Sequence, residues 1–409
     1  MSSPAICSSL PIPTVESRTE NTAEHAALQA RLGRLQGYLS GDACNAQLLG
    51  DVADLQLQLG LWDDAKAMLT RLLEAAPGDA TGRYRLAVAE RASGNAAAAQ
   101  PLLAGLVSEG HAHPAVLQEL ARSEASLGHW DAVVKALAPL DAAALPSEEA
   151  DAVHLLRIRA LHHLGDLQSG LAEAQAWRQV RGSGLPTLGL AAMATLHLDA
   201  EQLDAAAEVV ASASPDQLAS NAELTTAAGF VELARGHGEA AQALLARGAQ
   251  QQPALGRAHL GLGLAAAYAG DLPRSIDALK AATAATPSHL GSWHALAWMQ
   301  MLSQDLAGAE ASLQAALAQD ANFGETHGGL ALLAALHGDH ETAERYLRTG
   351  MRLDPQGVNV TVARVALQQG KGQLDARVLG PALQRFMGLA AAQSPGMQSL
   401  MARMMPRGH

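Results

Sequence analysis

The chain has 409 residues and a formal charge of −12, with 3% aromatic and 17% charged residues. That balance argues against nucleic acid as the main partner, because gripping phosphates takes a basic face. Alanine and leucine dominate, and the scarcity of aromatic residues argues against sheet-built cores, leaving a long helical array as the best use of the length.

The first residues, MSSPAICSSLPIPTVESRTE, have neither a basic start nor an apolar run and do not read as a secretory signal. Residues 1–21 are expected to be disordered. No stretch is apolar enough for a membrane span. Cys7 and Cys44 form no Cys-x-x-Cys and no disulfide framework, as expected of a reducing compartment, so the expected location is cytoplasmic. Arginine far outnumbers lysine beside abundant alanine and glycine, which points to a GC-rich bacterial genome.

Residues 22–42 read as a leading helix, with Leu28, Leu32, Leu35 and Leu39 at helical spacing. From residue 46 the chain repeats. Pro253, Pro287 and Pro355 fall on a beat of 34, with Ala321 in the missing place. Gly236, Gly270, Gln304 and Gly338 keep the same beat, and so do Ala241, Ser275, Ala309 and Ala343. Amphipathic helix pairs of this kind bury their apolar faces only against the next pair, so they stack.

Within GSWHALAWMQMLSQDLAGAEASLQAALAQD, Trp293, Leu296, Ala297, Ala309 and Leu313 stand at repeat positions 4, 7, 8, 20 and 24. This pattern resembles the tetratricopeptide repeat (TPR) family, and LGLWDDAKAMLTRLLEAAPGD repeats it with Ala65, Leu69 and Pro77. The resemblance implies an all-α, right-handed superhelix, an α-solenoid of about nine repeats across 46–357. Position 8 would be Ala53, Ala87, Ala121, Ile158, Ala194, Gly229, Gly263, Ala297 and Ala331, all small but one. The pattern is irregular near 147–220, where Gly170, Trp177 and RGSGLPT depart from it, and a hinge could lie there. Residues 358–409 are expected to hold capping helices and a Met-rich tail, with Met397, Leu400, Met401 and Met404 on one stripe.

No catalytic constellation emerges, and the chain reads as no enzyme. Gly261-x-Gly263-x-x-Ala266 matches a loose dinucleotide fingerprint, but no strand precedes it and the register places it inside a helix. The GKG at 370–372 lacks the other parts of a phosphate loop. The pairs His111/His113, His162/His163 and His337/His340 have no cysteine or carboxylate at ligand spacing. No cofactor and no metal are expected.

The family geometry implies a concave groove lined by positions 2, 5, 9, 12 and 13 of each first helix. Trp293, at position 4, should then be packed between helices, and Trp298, at position 9, should face the groove. The C-terminal half of the groove would present Phe230, Leu264, Tyr268, Trp298, Met301, Leu302, Leu332 and Leu336. The N-terminal half would present Arg91, Arg122, Arg159 and His162, beside Tyr84 and Gln118. Apolar and aromatic side chains suit an apolar helix or extended peptide, and arginines suit its carboxylates.

The resemblance therefore implies a non-catalytic scaffold or adaptor binding a peptide or helix of a partner protein. Bacterial relatives of this kind serve as assembly factors or chaperones for secretion, pilus or envelope systems. The alternative is a self-associating regulatory or peptide-sensing protein, acting on another enzyme or regulator, with self-association through the C-terminal tail. No nucleic acid and no direct membrane insertion are expected.

Overall fold

The computed structural model describes residues 22–369 apart from residue 183. The disordered segment expected over 1–21, the Met-rich tail, the GKG and most of the expected capping region lie outside these residues. Every regular element among the described residues is helical. The chain divides into two compact units at Val180/Arg181.

The first unit opens with α1 (Thr22–Gly41), which lays Leu28, Leu32, Leu35 and Leu39 against the first pair, α2 (Ala46–Gln58) and α3 (Trp62–Ala75). Then come α4 (Ala80–Ala92) with α5 (Ala96–Ser108), and α6 (Pro114–Ser126) with the short α7 (Trp130–Leu137). A 3-10 turn at Ala142–Ala144 leads to α8 (Ser147–His163) and α9 (Leu167–Arg181).

The second unit begins with α10 (Thr187–Asp199) and α11 (Leu203–Ala211). An extra helix, α12 (Pro215–Ser220), follows; it is started by a capping box between Ser214 and Gln217. Regular pairs then run through α13 (Ala222–Ala234) and α14 (Gly238–Gln251), and α15 (Gly256–Tyr268) and α16 (Leu272–Ala285). They continue with α17 (Leu290–Leu302) and α18 (Leu306–Gln319), and α19 (Gly324–Leu336) and α20 (His340–Leu353). The last described helix is α21 (Val358–Gln369). Each unit is thus a stack of antiparallel helix pairs, the arrangement of an α-solenoid.

Local chemistry sets the helix ends. Asn45, Asp79, Asn221, Asp271, Asp305 and Asp339 each accept a hydrogen bond from a backbone N–H in the first turn of the helix they precede. Between the two helices of a pair, the chain turns through a left-handed residue. Glycine fills that place at Gly236, Gly270 and Gly338, whereas Gln304 and Glu201 adopt it with φ of 65° and 58°.

The small residues at position 8 have a visible cause. A Cβ on Gly229 would lie 2.6 Å from Leu245 Cγ, and one on Gly263 would lie 2.5 Å from Leu279 Cγ. The first helix therefore approaches the second to within the width of a leucine tip. Gly261 and Gly263 serve this packing inside α15, so the fingerprint read there is a helix contact.

Ile158, the one large residue at position 8, sits in the pair that departs most. There α8 and α9 are joined by long side chains. Trp177 is buried against the His154 ring, with centroids 5.5 Å apart, and its Nε1 donates to Asp151 at 2.7 Å. Arg157 donates to the carbonyls of Leu137 and Leu140 and pairs with Glu173, which also meets His154 at 2.7 Å. A branched residue and a tryptophan replace the close helix contact used elsewhere.

Candidate partner-binding faces

The two halves of the expected groove differ sharply in the structure. In the second unit, the apolar residues assigned to it are spent on internal packing. Trp298 is only 1% exposed, and its Nε1 donates to Asn359 Oδ1 of α21 at 2.9 Å. Met301, Leu302 and Leu332 are buried in the same cluster, together with Val362 and Ala363 of α21. Leu336 is half-buried against that cluster.

Trp293, expected between helices, is the more exposed of the two tryptophans and donates to the Pro287 carbonyl at 2.8 Å. Trp293 still packs against the same cluster, whereas Trp298 is withdrawn from the expected groove. The cause is α21, which covers the face that position 9 presents.

Phe230, Leu264 and Tyr268 are also half-buried packing residues. Tyr268 donates to the Gly236 carbonyl at 2.8 Å, and its ring lies where a Cβ on Gly238 would come within 2.9 Å. It therefore braces the turn of the preceding pair. The Phe230 ring carries the Arg257 guanidinium at 5.3 Å, and Arg257 in turn pairs with Asp199.

In the first unit, the face carried by α2, α4, α6 and α8 is polar and partly open. Arg85 pairs with Asp54, joining α4 to α2. Burial, the largest influence, lifts the Asp54 carboxyl above its ordinary range, and Arg85 opposes that shift. Glu119 on α6 is wholly buried and accepts from both Arg91 on α4 and Arg122 on its own helix. Gln118 lies beside them, 3.4 Å from Arg122.

Tyr84 is largely enclosed here, and burial, aided by Glu119, pushes its phenol up to about 12. Arg159 and His162 on α8 are both half-buried, and His163 stacks on Trp130 with ring centroids 4.0 Å apart. Desolvation first, and then His162 and Arg159, hold the His163 imidazole below its usual range.

Chemically, this face offers two guanidiniums to one carboxylate. Glu149 of α8 borders the same face, beside Gln118 and Tyr84. Sequence reading placed these cations in one groove but missed Glu119, Asp54 and the buried histidines His154, His294 and His327. Their signal was weak, because a lone Glu or His within a helix reads as solvated.

A family model described as tetratricopeptide repeat matches residues 52–114 and 226–289. The chain carries tetratricopeptide repeats. No curated protein matches it by sequence.

Among solved structures, the human IFIT1 dimer with PPP-AAAA is similar over 95% of this chain and 95% of its own, with 13% identity and a TM-score of 0.54. Pseudomonas aeruginosa PilF matches with 15% identity over 53% of this chain and 98% of its own, with a TM-score of 0.41. YrrB, described as a TPR protein with an unusual peptide-binding site, matches with 14% identity over 47% and 97%, with a TM-score of 0.35. At these identities the likeness concerns the fold alone. TPR folds are in general non-catalytic scaffolds for protein–protein interaction. None of the described helices is long and apolar enough to cross a membrane.

Proposed function

We propose that the chain is a non-catalytic TPR scaffold that holds a peptide or helix of a partner protein, and that the partner brings an acidic segment to the face of α4, α6 and α8. The observation that carries this reading is the sharing of buried Glu119 by Arg91 and Arg122. One carboxylate holds both guanidiniums in place and neutralises only one of them. Side-chain exposure of 34% leaves Arg122 able to reach a ligand. Arg159 and His162 extend the same face by one helix, and an incoming carboxylate would strengthen this set at little conformational cost. The proposed setting is the bacterial cytoplasm, as an assembly factor or chaperone for a secretion, pilus or envelope system. The repeat architecture and the preference for arginine over lysine support it.

The test is affinity capture from the native organism's lysate with wild type beside a folded Arg122→Ser/Arg159→Ser variant. A protein held by wild type, released by moderate salt and absent from the variant is the expected result. Equal retention by both would move the site off this face.

A further inference from the structure

The face formed by α17 and α19 is already occupied, and the occupant is a helix. In most of the stack, the first helix of a pair packs chiefly on the second helix of the pair before it, as α15 does on α14 and α17 on α16. The last described helix reverses this order. It packs chiefly on α19, with α20 the lesser neighbour; α13 does the same, but there α12 intervenes.

One glycine on α19 and one on α20 make the approach possible. A Cβ on Gly328 would lie 2.4 Å from the Val360 nitrogen and 2.7 Å from the Asn359 carbonyl carbon, so nothing larger than hydrogen fits. On α20, a Cβ on Gly350 would meet Val360 Cγ2 at 3.0 Å.

A set of polar contacts fixes the helix start. The Glu325 carboxylate accepts from the backbone nitrogens of Val358 and of Asn359, the latter at 2.7 Å. It thus caps the positive end of α21. The Asn359 side chain donates to the Glu325 carbonyl at 3.1 Å and accepts from Trp298 Nε1 at 2.9 Å, bridging α19 and α17. Below it, Val362 and Ala363 complete the cluster holding Trp298 and Leu332.

From this we infer that the first-helix face of α17 and α19 is a helix-binding site that the chain keeps closed with its own α21. The outside ligand that fits is a helix of the same chemistry: an asparagine in its first turn, followed by valine and alanine at three- and four-residue spacing. The glycines admit its backbone, Glu325 caps it, and Trp298 reads the asparagine. This site is separate from the arginine-bearing face, and its test does not depend on that reading.

The probe is a fluorescent peptide of residues 356–369, titrated into the full chain by anisotropy. Wild type is compared with Asn359→Ala and Val362→Asp, both changed only on α21. Hydrogen exchange of α21 is followed in each. Expected are faster exchange of α21 in both variants and peptide binding at least tenfold tighter than to wild type. A peptide carrying Asn359→Ala should lose that gain.

Loosened variants that bind the probe no better than wild type would overturn the proposal. So would equal binding of the substituted peptide, or α21 protection unchanged in both variants. If Val362→Asp disturbs α17–α19, the Asn359→Ala chain still decides the matter, since it removes only the polar bridge.

Discussion

Trp298 shows how much one side chain's surroundings decide. Its position in the repeat is that of a groove residue, yet it is buried, with its indole nitrogen hydrogen-bonded. Trp298→Ala should therefore cost about 3–5 kcal/mol of stability, the usual penalty for emptying a large aromatic site. A denaturation curve of the variant checks this; a loss below about 1 kcal/mol would contradict the burial. Gln304 offers the opposite test. Its φ of 65° is a strained one for a residue with a side chain, in a turn where glycine stands elsewhere. Gln304→Gly should stabilise the chain by about 1 kcal/mol, read as a rise in melting temperature.

At the scale of elements, the helix pairs were legible in the sequence because their causes are local. Asn and Asp caps, left-handed turn residues and small position-8 residues all act within one pair, and Gly229 and Gly263 meet the leucines of their own second helices. Contacts between pairs were not legible. His294 on α17 meets Thr326 on α19 at 2.9 Å, and burial pushes its imidazole down to about 4, with His289 adding to the shift. The imidazole is neutral in the fold and charges more readily when unfolded. The unfolded chain therefore binds the extra proton between about pH 6.5 and 4, and stability must rise with pH across that window. His294 should cost on the order of 3 kcal/mol as pH falls through it. The melting temperature of His294→Gln should vary less with pH over the same range, and an unchanged slope would assign the dependence elsewhere.

At the scale of the molecule, the division at Val180/Arg181 predicts how damage spreads. Stacked repeats are stabilised by their nearest neighbours. Leu103 is wholly buried in the α4–α6 cluster, so Leu103→Ala should cost about 2–5 kcal/mol there. Hydrogen exchange should quicken across α4 to α7 while α15 to α19 keep their protection. Uniform quickening along the chain would show one cooperative block instead.

The amino-acid sequence by itself determined the helix pairs and their 34-residue beat, because a repeat imposes the same short-range packing on every copy. A helical period also gives the expectation that the cations of α4, α6 and α8 share one face. Whether that face is open, paired or covered was decided only by the tertiary structure. Glu119 draws Arg91 and Arg122 together because it is buried and must be neutralised. The apolar face of α17 and α19 is covered because Gly328 lets α21 come within backbone contact. Asn359 lies 61 residues from the tryptophan it meets, a distance across which a 34-residue repeat carries no information.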